Sequence, residues 1–247
     1  MNFVDILCPS CALFLDFDGT LVDLAPQPEA VIVPSALVGT LGSLNTYLGG
    51  ALALISGRPI EQIDGFLGPL VLPVAGVHGA ERRDATGKVS LLSTHPLDVV
   101  VGAALDLAAR YPALVVETKR GSVALHYRQA PELETLCLET MRAAVEESPG
   151  LTLLRGKMVA EAKPGGASKG HAIEAFMHEA PFAGRKPVFV GDDETDEVGF
   201  STVQRLSGLG VKVGEGASVA WQRLESPAAL RYQLQAAVAA KASKVNA

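Results

Sequence analysis

Short apolar runs separated by longer amphipathic stretches set the rhythm of the first third of the chain. Residues 12–15 are apolar without alternation and end at Asp16, the pattern of a buried parallel strand with a polar residue at its carboxyl end. Pro34 and Ser35 open a helical pattern that reaches about Leu48 and is stopped by Gly49 and Gly50. Residues 51–55 predict a second buried strand. Ser56-Gly57-Arg58-Pro59 follows, with Pro59 suited to the first turn of a helix running to about Gly65. Residues 71–75 predict a third strand. This alternation implies right-handed crossovers and a doubly wound, Rossmann-like parallel α/β sheet.

The rhythm changes near Thr94-His95-Pro96. Residues 97–111 read as a helix, and 114–119 with 122–128 as a hairpin around Arg120-Gly121. Residues 131–147 are helical again, and 151–155 with 158–163 form a second hairpin around Gly156. A duplicated α-β-β unit of this kind predicts a small antiparallel sheet with helices on one face, an inserted α+β domain over 96–164. Pro164-Gly165-Gly166 marks the return to the main domain, formed by 1–95 and 165–247. Wound-sheet rhythm resumes with a helix over 168–177, a strand over 187–190, a helix from about Glu194 and a strand over 209–213. A C-terminal helix starts at Pro227 and is capped by Ser226.

Composition narrows the picture. In 247 residues, 48% hydrophobic and 19% charged, there is enough apolar mass for a core and a second module. The net charge of −6 argues against a nucleic-acid binder, which needs a basic face, although a bound divalent cation still permits an anionic substrate. No run reaches the roughly 18 apolar residues of a membrane helix, and the N-terminus lacks a basic leader, so a soluble, cytoplasmic protein is expected. Cys8, Cys11 and Cys137 form no even framework. The Cys8-x-x-Cys11 pair lacks a second pair for zinc and the usual setting of a redox dithiol, and reads as small apolar residues leading into the first strand.

Three loops after core strands carry polar clusters, where open α/β sheets bind ligands. In Asp16-Phe17-Asp18-Gly19-Thr20-Leu21, two carboxylates beyond a buried strand are costly unless a cation or a transferable proton compensates. A carboxylate can also attack phosphorus, splitting one displacement into two. Ser56-Gly57-Arg58 offers a hydroxyl and backbone N–H to a phosphoryl oxygen. Gly191-Asp192-Asp193-Glu194-Thr195-Asp196-Glu197 holds more acids than Mg²⁺ takes directly, so some must orient neighbours. Lys169, at a helix start, supplies positive charge. Each cluster alone has a plain reading: an Asx turn, a loop, a solvated helix N-terminus, a surface lysine. Their order and context favour one site.

In these four clusters the chain resembles the haloacid-dehalogenase-like (HAD) phosphatases, and more closely the trehalose-6-phosphate phosphatases. The closer likeness rests on Gly76-Val77-His78-Gly79-Ala80-Glu81, Glu117-x-Lys119-x-x-Ser122, His126-Tyr127-Arg128, Arg155-Gly156-Lys157-x-x-x-Glu161 and Asp192-Asp193-x-Thr195-Asp196-Glu197, over about residues 11–230. The resemblance implies a HAD core with a C2-type cap as the inserted domain. It further implies Asp16 as nucleophile, Asp18 as acid and then base, and Thr20, Ser56 and Lys169 around the phosphate. Mg²⁺ would be held by Asp16, the Asp18 backbone carbonyl and Asp192, with Asp193 or Asp196 in support.

Sugar contacts are implied for Glu117, Lys119, Arg128, Lys157 and Glu161, with Gly57, Arg58 and His78 also placed at the substrate. Glu117 and Lys119 share a strand face, as do Lys157, Glu161 and Lys163 if their hairpin is regular. His78 and Glu81 lie on the core side, each either a contact to the cap or structural, and His126 is structural rather than catalytic. The expected substrate is a small sugar phosphate, trehalose 6-phosphate, with an open question of association with a trehalose-phosphate synthase. Sucrose 6-phosphate or mannosyl-phosphoglycerate hydrolysis and a non-catalytic sugar-phosphate-binding protein are the alternatives.

Overall fold

The computed structural model describes residues 3–25, 27–92, 96–119 and 121–245. Thr94, His95 and Arg120, read above as a change of rhythm and a hairpin turn, lie outside them. The elements in chain order are α1 (Phe3–Ile6), β1 (Cys11–Leu15), α2 (Ser35–Tyr47), β2 (Leu52–Ile55), α3 (Ile60–Leu67), β3 (Val74–Gly76), β4 (Glu81–Arg83) and β5 (Val89–Leu91). Then come α4 (Asp98–Arg110), β6 (Val115–Lys119), β7 (Ser122–His126), α5 (Glu134–Glu146), β8 (Leu151–Gly156) and β9 (Val159–Pro164). The chain closes with α6 (Lys169–Met177), β10 (Lys186–Gly191), α7 (Glu197–Arg205), β11 (Leu209–Val213), β12 (Gln222–Leu224) and α8 (Pro227–Val245). Two compact units result, 1–89 with 168–247, and 90–167.

The first unit is built on a sheet of order β12-β11-β10-β1-β2-β3-β4-β5. From β12 to β3 neighbouring strands are parallel, and β4 joins β3 antiparallel. β1 is buried throughout, because its apolar run carries side chains to helices on both faces of the sheet. Phe14 stacks on Phe182 at 5.5 Å and lies 6.0 Å from Phe176. Burying each such ring is worth roughly 1.5–3 kcal/mol, and together they fix the strand that ends at Asp16. The short strands β4, β5 and β12 were not foreseen. In β4, Glu-Arg-Arg is polar, yet Arg83 is buried because Asp64 and the Leu72 carbonyl hold its guanidinium.

The second unit is an antiparallel sheet, β6-β7-β9-β8, with α4 and α5 packed against it. Its separate apolar cluster includes Val100, Leu107, Val123, Leu125, Tyr127, Met141, Ala160 and Ala162. Alternation therefore leaves Glu117, Lys119, Ser122, His126, Glu161 and Lys163 on the opposite, polar face. The turn of the second hairpin is Lys157-Met158, with Gly156 ending β8, so Lys157 sits in the turn rather than on that face. Among the described residues, no helix is long and apolar enough to cross a membrane.

Candidate active site

β1, β2 and β10 run side by side with Leu15 opposite both Leu54 and Val190. The residues that follow, Asp16, Ser56 and Asp192, therefore emerge at one edge of the sheet. Asp16 keeps its N–H in the ladder, donating to the Val190 carbonyl at 2.9 Å. Its carboxylate is buried. One oxygen accepts from Lys169 Nζ at 2.8 Å, the other from the Thr20 hydroxyl at 3.1 Å. Lys169 stands in the first turn of α6, whose start is fixed by Ser168 accepting the His171 N–H at 3.1 Å.

The same ammonium donates to Asp196 Oδ1 at 2.7 Å. Asp196 Oδ2 accepts the N–H groups of Asp192 and Asp193, both at 3.0 Å, which shapes the loop. Asp193 caps the 3₁₀ turn at Glu194–Asp196, accepting the Thr195 N–H at 2.8 Å and its hydroxyl at 2.6 Å. Glu197 accepts the Val219 N–H at 2.8 Å, and Glu194 is exposed. The acidic loop thus divides its labour. Asp192 meets the first loop through Thr20 Oγ1, at 3.3 Å.

Too much negative charge gathers here for one lysine to balance. Burial pushes Asp16 up to about 7 against the pull of Lys169, with Asp192 and Asp193 adding to the rise. Burial likewise pushes Asp192 up to about 6, with Asp196 and Asp193 contributing. Asp193 moves the other way: burial would raise it, but Lys169 and the Thr195 hydrogen bond bring it to about 2. Burial disfavours the Lys169 charge, yet Asp16 and Asp196 hold its pKa well above the ordinary lysine value.

One oxygen from each of Asp16, Asp192 and Asp196 lies within 4.8 Å of the others. A hard, all-oxygen, electron-rich set of this kind fits Mg²⁺. Gly19 belongs to the fit. Its φ is +76°, and a Cβ there would lie 2.2 Å from Asp192 Oδ2, so only glycine lets that carboxylate close over the loop.

Arg58 and Asp18 form the second half of the site. Arg58 Nε and Nη2 donate to the two Asp18 oxygens, Nη1 donates to Gln62 at 3.1 Å, and the guanidinium lies 5.0 Å from the Phe66 ring centre. Arg58, expected among the substrate contacts, is thus engaged with Asp18. The Ser56 N–H donates to the Ala75 carbonyl at 2.8 Å. Ser56 Oγ accepts the Arg58 N–H at 3.1 Å and keeps its own O–H to donate. His78 lies against Gly57, where a Cβ would come 2.7 Å from Nε2. Val77 and His78 both adopt left-handed φ, 49° and 53°, a costly conformation for a β-branched valine and one concentrated at functional sites. Glu81 accepts the Ile60 N–H at 2.6 Å and so secures the start of α3, a structural role.

In the second unit the polar face is one connected network. Ser122 donates to Glu161 at 2.7 Å, and Lys119 Nζ lies 3.7 Å from Glu161 and 3.8 Å from Glu117. His126 Nε2 lies 2.9 Å from Glu117 Oε2. Register explains this: Glu117, Ala124 and Glu161 stand side by side across β6, β7 and β9. Arg128 and Lys157 are exposed and lie beyond the ends of these strands.

Lys212 escaped the sequence reading. It is buried on β11 and donates to the Asp192 backbone carbonyl, steadying the acidic loop from behind. The available signal was a lysine inside the otherwise apolar run 209–213, since a buried charge needs a partner.

The family model described as Trehalose-phosphatase matches residues 14–229. The chain is 47% identical over 220 residues to the trehalose-6-phosphate phosphatase of Escherichia coli (strain K12), across 86% of this chain and 81% of that one. The solved C-terminal domain of the C. albicans trehalose-6-phosphate phosphatase has a similar fold, with a TM-score of 0.83 at 20% identity, over 93% of this chain and 92% of that one. A phosphatase of the haloalkanoate (HAD) enzyme superfamily from Bacteroides thetaiotaomicron matches with a TM-score of 0.62 at 15% identity, over 91% and 94% of the two chains.

Proposed function

The chain belongs to the trehalose-phosphatase family, with a HAD fold and phosphoric monoester hydrolase activity, and from that premise we propose that it hydrolyses trehalose 6-phosphate through an aspartyl phosphate on Asp16. The observation that carries the reading is the Asp16 carboxylate itself. It is buried at the end of β1, between the Lys169 ammonium and the Thr20 hydroxyl, and shares an oxygen cluster with Asp192.

In this reading Asp16 attacks phosphorus, forming a new P–O bond as the bond to the sugar oxygen breaks. Asp18 delivers a proton to that leaving oxygen. Asp18 then takes a proton from the water that attacks the aspartyl phosphate, releasing phosphate and restoring Asp16. Arg58 holds Asp18 in one orientation through both steps. Lys169 and the Ser56 hydroxyl receive phosphoryl oxygens, and Thr20 orients Asp16. A bound Mg²⁺, held by Asp16, the Asp18 backbone carbonyl and Asp192, would neutralise phosphoryl charge. Asp193 and Asp196 support this set by building the loop.

Sugar recognition belongs to the polar sheet face of the second unit. Glu117, Lys119 and Glu161 are fixed charged groups, which bind hydroxyls with strong, directional hydrogen bonds. Gly57 and His78 border the phosphate side, and Arg128 and Lys157 add contacts from the strand ends.

The test is phosphate release from trehalose 6-phosphate, glucose 6-phosphate and sucrose 6-phosphate, with Mg²⁺ and with chelator. Preference for trehalose 6-phosphate, lost with chelator and in Asp16→Asn, is the expected result. Metal-dependent turnover of another sugar phosphate would overturn the substrate, and full activity in Asp16→Asn would overturn the mechanism.

A further inference from the structure

We propose that Cys8 and Cys11 form a peroxide-sensitive dithiol–disulfide pair at the root of β1, a modification site separate from the phosphate chemistry. Cys8-Pro9-Ser10-Cys11 is a β-turn closed by the Cys11 N–H donating to the Cys8 carbonyl at 2.9 Å. Proline at the second position presets its backbone angle for such a turn. A β-turn keeps its first and fourth Cα atoms within about 7 Å, close to the range of about 4.4–6.8 Å that a disulfide spans. The two sulfurs already meet, with Sγ atoms 2.8 Å apart. The turn is also anchored from outside: Lys186 N–H donates to the Ser10 carbonyl at 3.0 Å, and Arg185 donates to the Pro9 carbonyl at 2.6 Å.

The two thiols differ in the way such a pair requires. Cys8 is partly exposed and lies 3.1 Å from the Ser10 hydroxyl. Cys11 is buried, and its thiol donates to the Ile6 carbonyl at 3.2 Å. Burial alone would raise Cys8, but hydrogen bonds with Cys11 and Ser10 and the charge of Lys241 bring it below the ordinary thiol value. Burial pushes Cys11 up to about 11. Cys8 is the outer, attacking sulfur and Cys11 the inner, resolving one.

The chemistry balances with a hydroperoxide as oxidant. The Cys8 thiolate attacks one peroxide oxygen, the O–O bond breaks, and Cys8 becomes a sulfenic acid. The Cys11 sulfur then attacks Cys8, the S–O bond breaks, water leaves and the S–S bond forms. Two thiols and hydrogen peroxide give one disulfide and two waters, and a dithiol reductant reverses the change. The loop closed is so short that the bond adds little chain-entropy stabilisation, which suits a redox element better than a staple. Cys137 lies buried in α5 of the second unit and takes no part.

The experiment is mild hydrogen peroxide treatment of the full chain, alkylation under denaturing conditions, and mass measurement of the intact protein and its peptides. The free-thiol count falls from three to one, the peptide spanning 8–11 loses two hydrogens, and dithiothreitol restores it. Cys11→Ser instead leaves a sulfenic acid on Cys8 that dimedone traps, and Cys8→Ser keeps both remaining thiols alkylatable while phosphatase turnover is unchanged. Three thiols remaining after peroxide, or loss of two hydrogens persisting in Cys8→Ser, overturns the proposal.

Discussion

Arg58 grips both oxygens of Asp18, with Nε at 2.6 Å and Nη2 at 2.8 Å. A planar guanidinium can make two parallel bonds to a carboxylate, which fixes direction as well as distance. Arg58 is itself held by Gln62 and Phe66, so Asp18 is aimed by a braced partner.

Lysine cannot reproduce that fork. Arg58→Lys is expected to lower kcat about 10- to 100-fold with a smaller change in KM, because Asp18 loses its aim rather than the substrate its binding. Steady-state kinetics decide the point. A pure KM effect would return Arg58 to the role of a substrate contact.

Lys169 is the cation shared by two buried carboxylates, Asp16 at 2.8 Å and Asp196 at 2.7 Å. Removing it in Lys169→Met leaves both without their partner, at a cost of about 3–5 kcal/mol. Urea unfolding should show this loss, and adding Asp196→Asn should recover part of it, since the two substitutions touch one network. Strict additivity would mean that Asp196 does not depend on Lys169.

Mg²⁺ should stabilise the native chain, because the oxygen cluster of Asp16, Asp192 and Asp196 exists only when β1 and β10 are paired. At a hundredfold excess over Kd the gain is about 2.7 kcal/mol, read as a higher Tm that chelator reverses. Asp192→Asn should remove most of the shift. A shift that survives that change would locate the ion elsewhere.

Acid should act on the polar face of the second unit. Burial would raise Glu117, but its hydrogen bond with His126 and the charge of Lys119 hold it below the ordinary glutamate value of 4.5. A carboxylate depressed on folding contributes stability that is full above 4.5 and is lost as pH falls through its lower native value. Glu117→Gln is therefore expected to cost about 1–2 kcal/mol near neutral pH, with the gap to wild type narrowing below 4.5. Chemical denaturation at several pH values reads both. A gap that is constant with pH would exclude the charge as its source.

Much of this was legible from sequence because it is local. The apolar run 12–15 ending at Asp16 marks a buried strand on its own, and Ser168 before Lys169 marks a helix start. A change of period predicts an inserted unit over 96–164, and the second compact unit spans 90–167. Short polar strands carry no such signal: β4 is Glu-Arg-Arg, a strand only because Asp64 and the Leu72 carbonyl absorb Arg83. The second hairpin was read with its turn at Gly156, the usual turn residue, whereas Met158 takes the left-handed φ of 63°.

The sequence by itself determined the alternation of elements and which polar residue types follow the core strands. Tertiary structure alone decided how those residues are used. Arg58 and Asp18 stand 40 positions apart, Lys169 and Asp16 153 apart, and Lys212 reaches the Asp192 carbonyl from a neighbouring strand. Periodicity and capping act over a few residues, whereas a charge buried in low dielectric takes whatever partner the packed strands deliver. That is why the acids of residues 191–197 look alike in sequence, yet Asp192 meets Thr20 in the loop after Asp16, Asp193 caps a turn and Asp196 anchors a lysine.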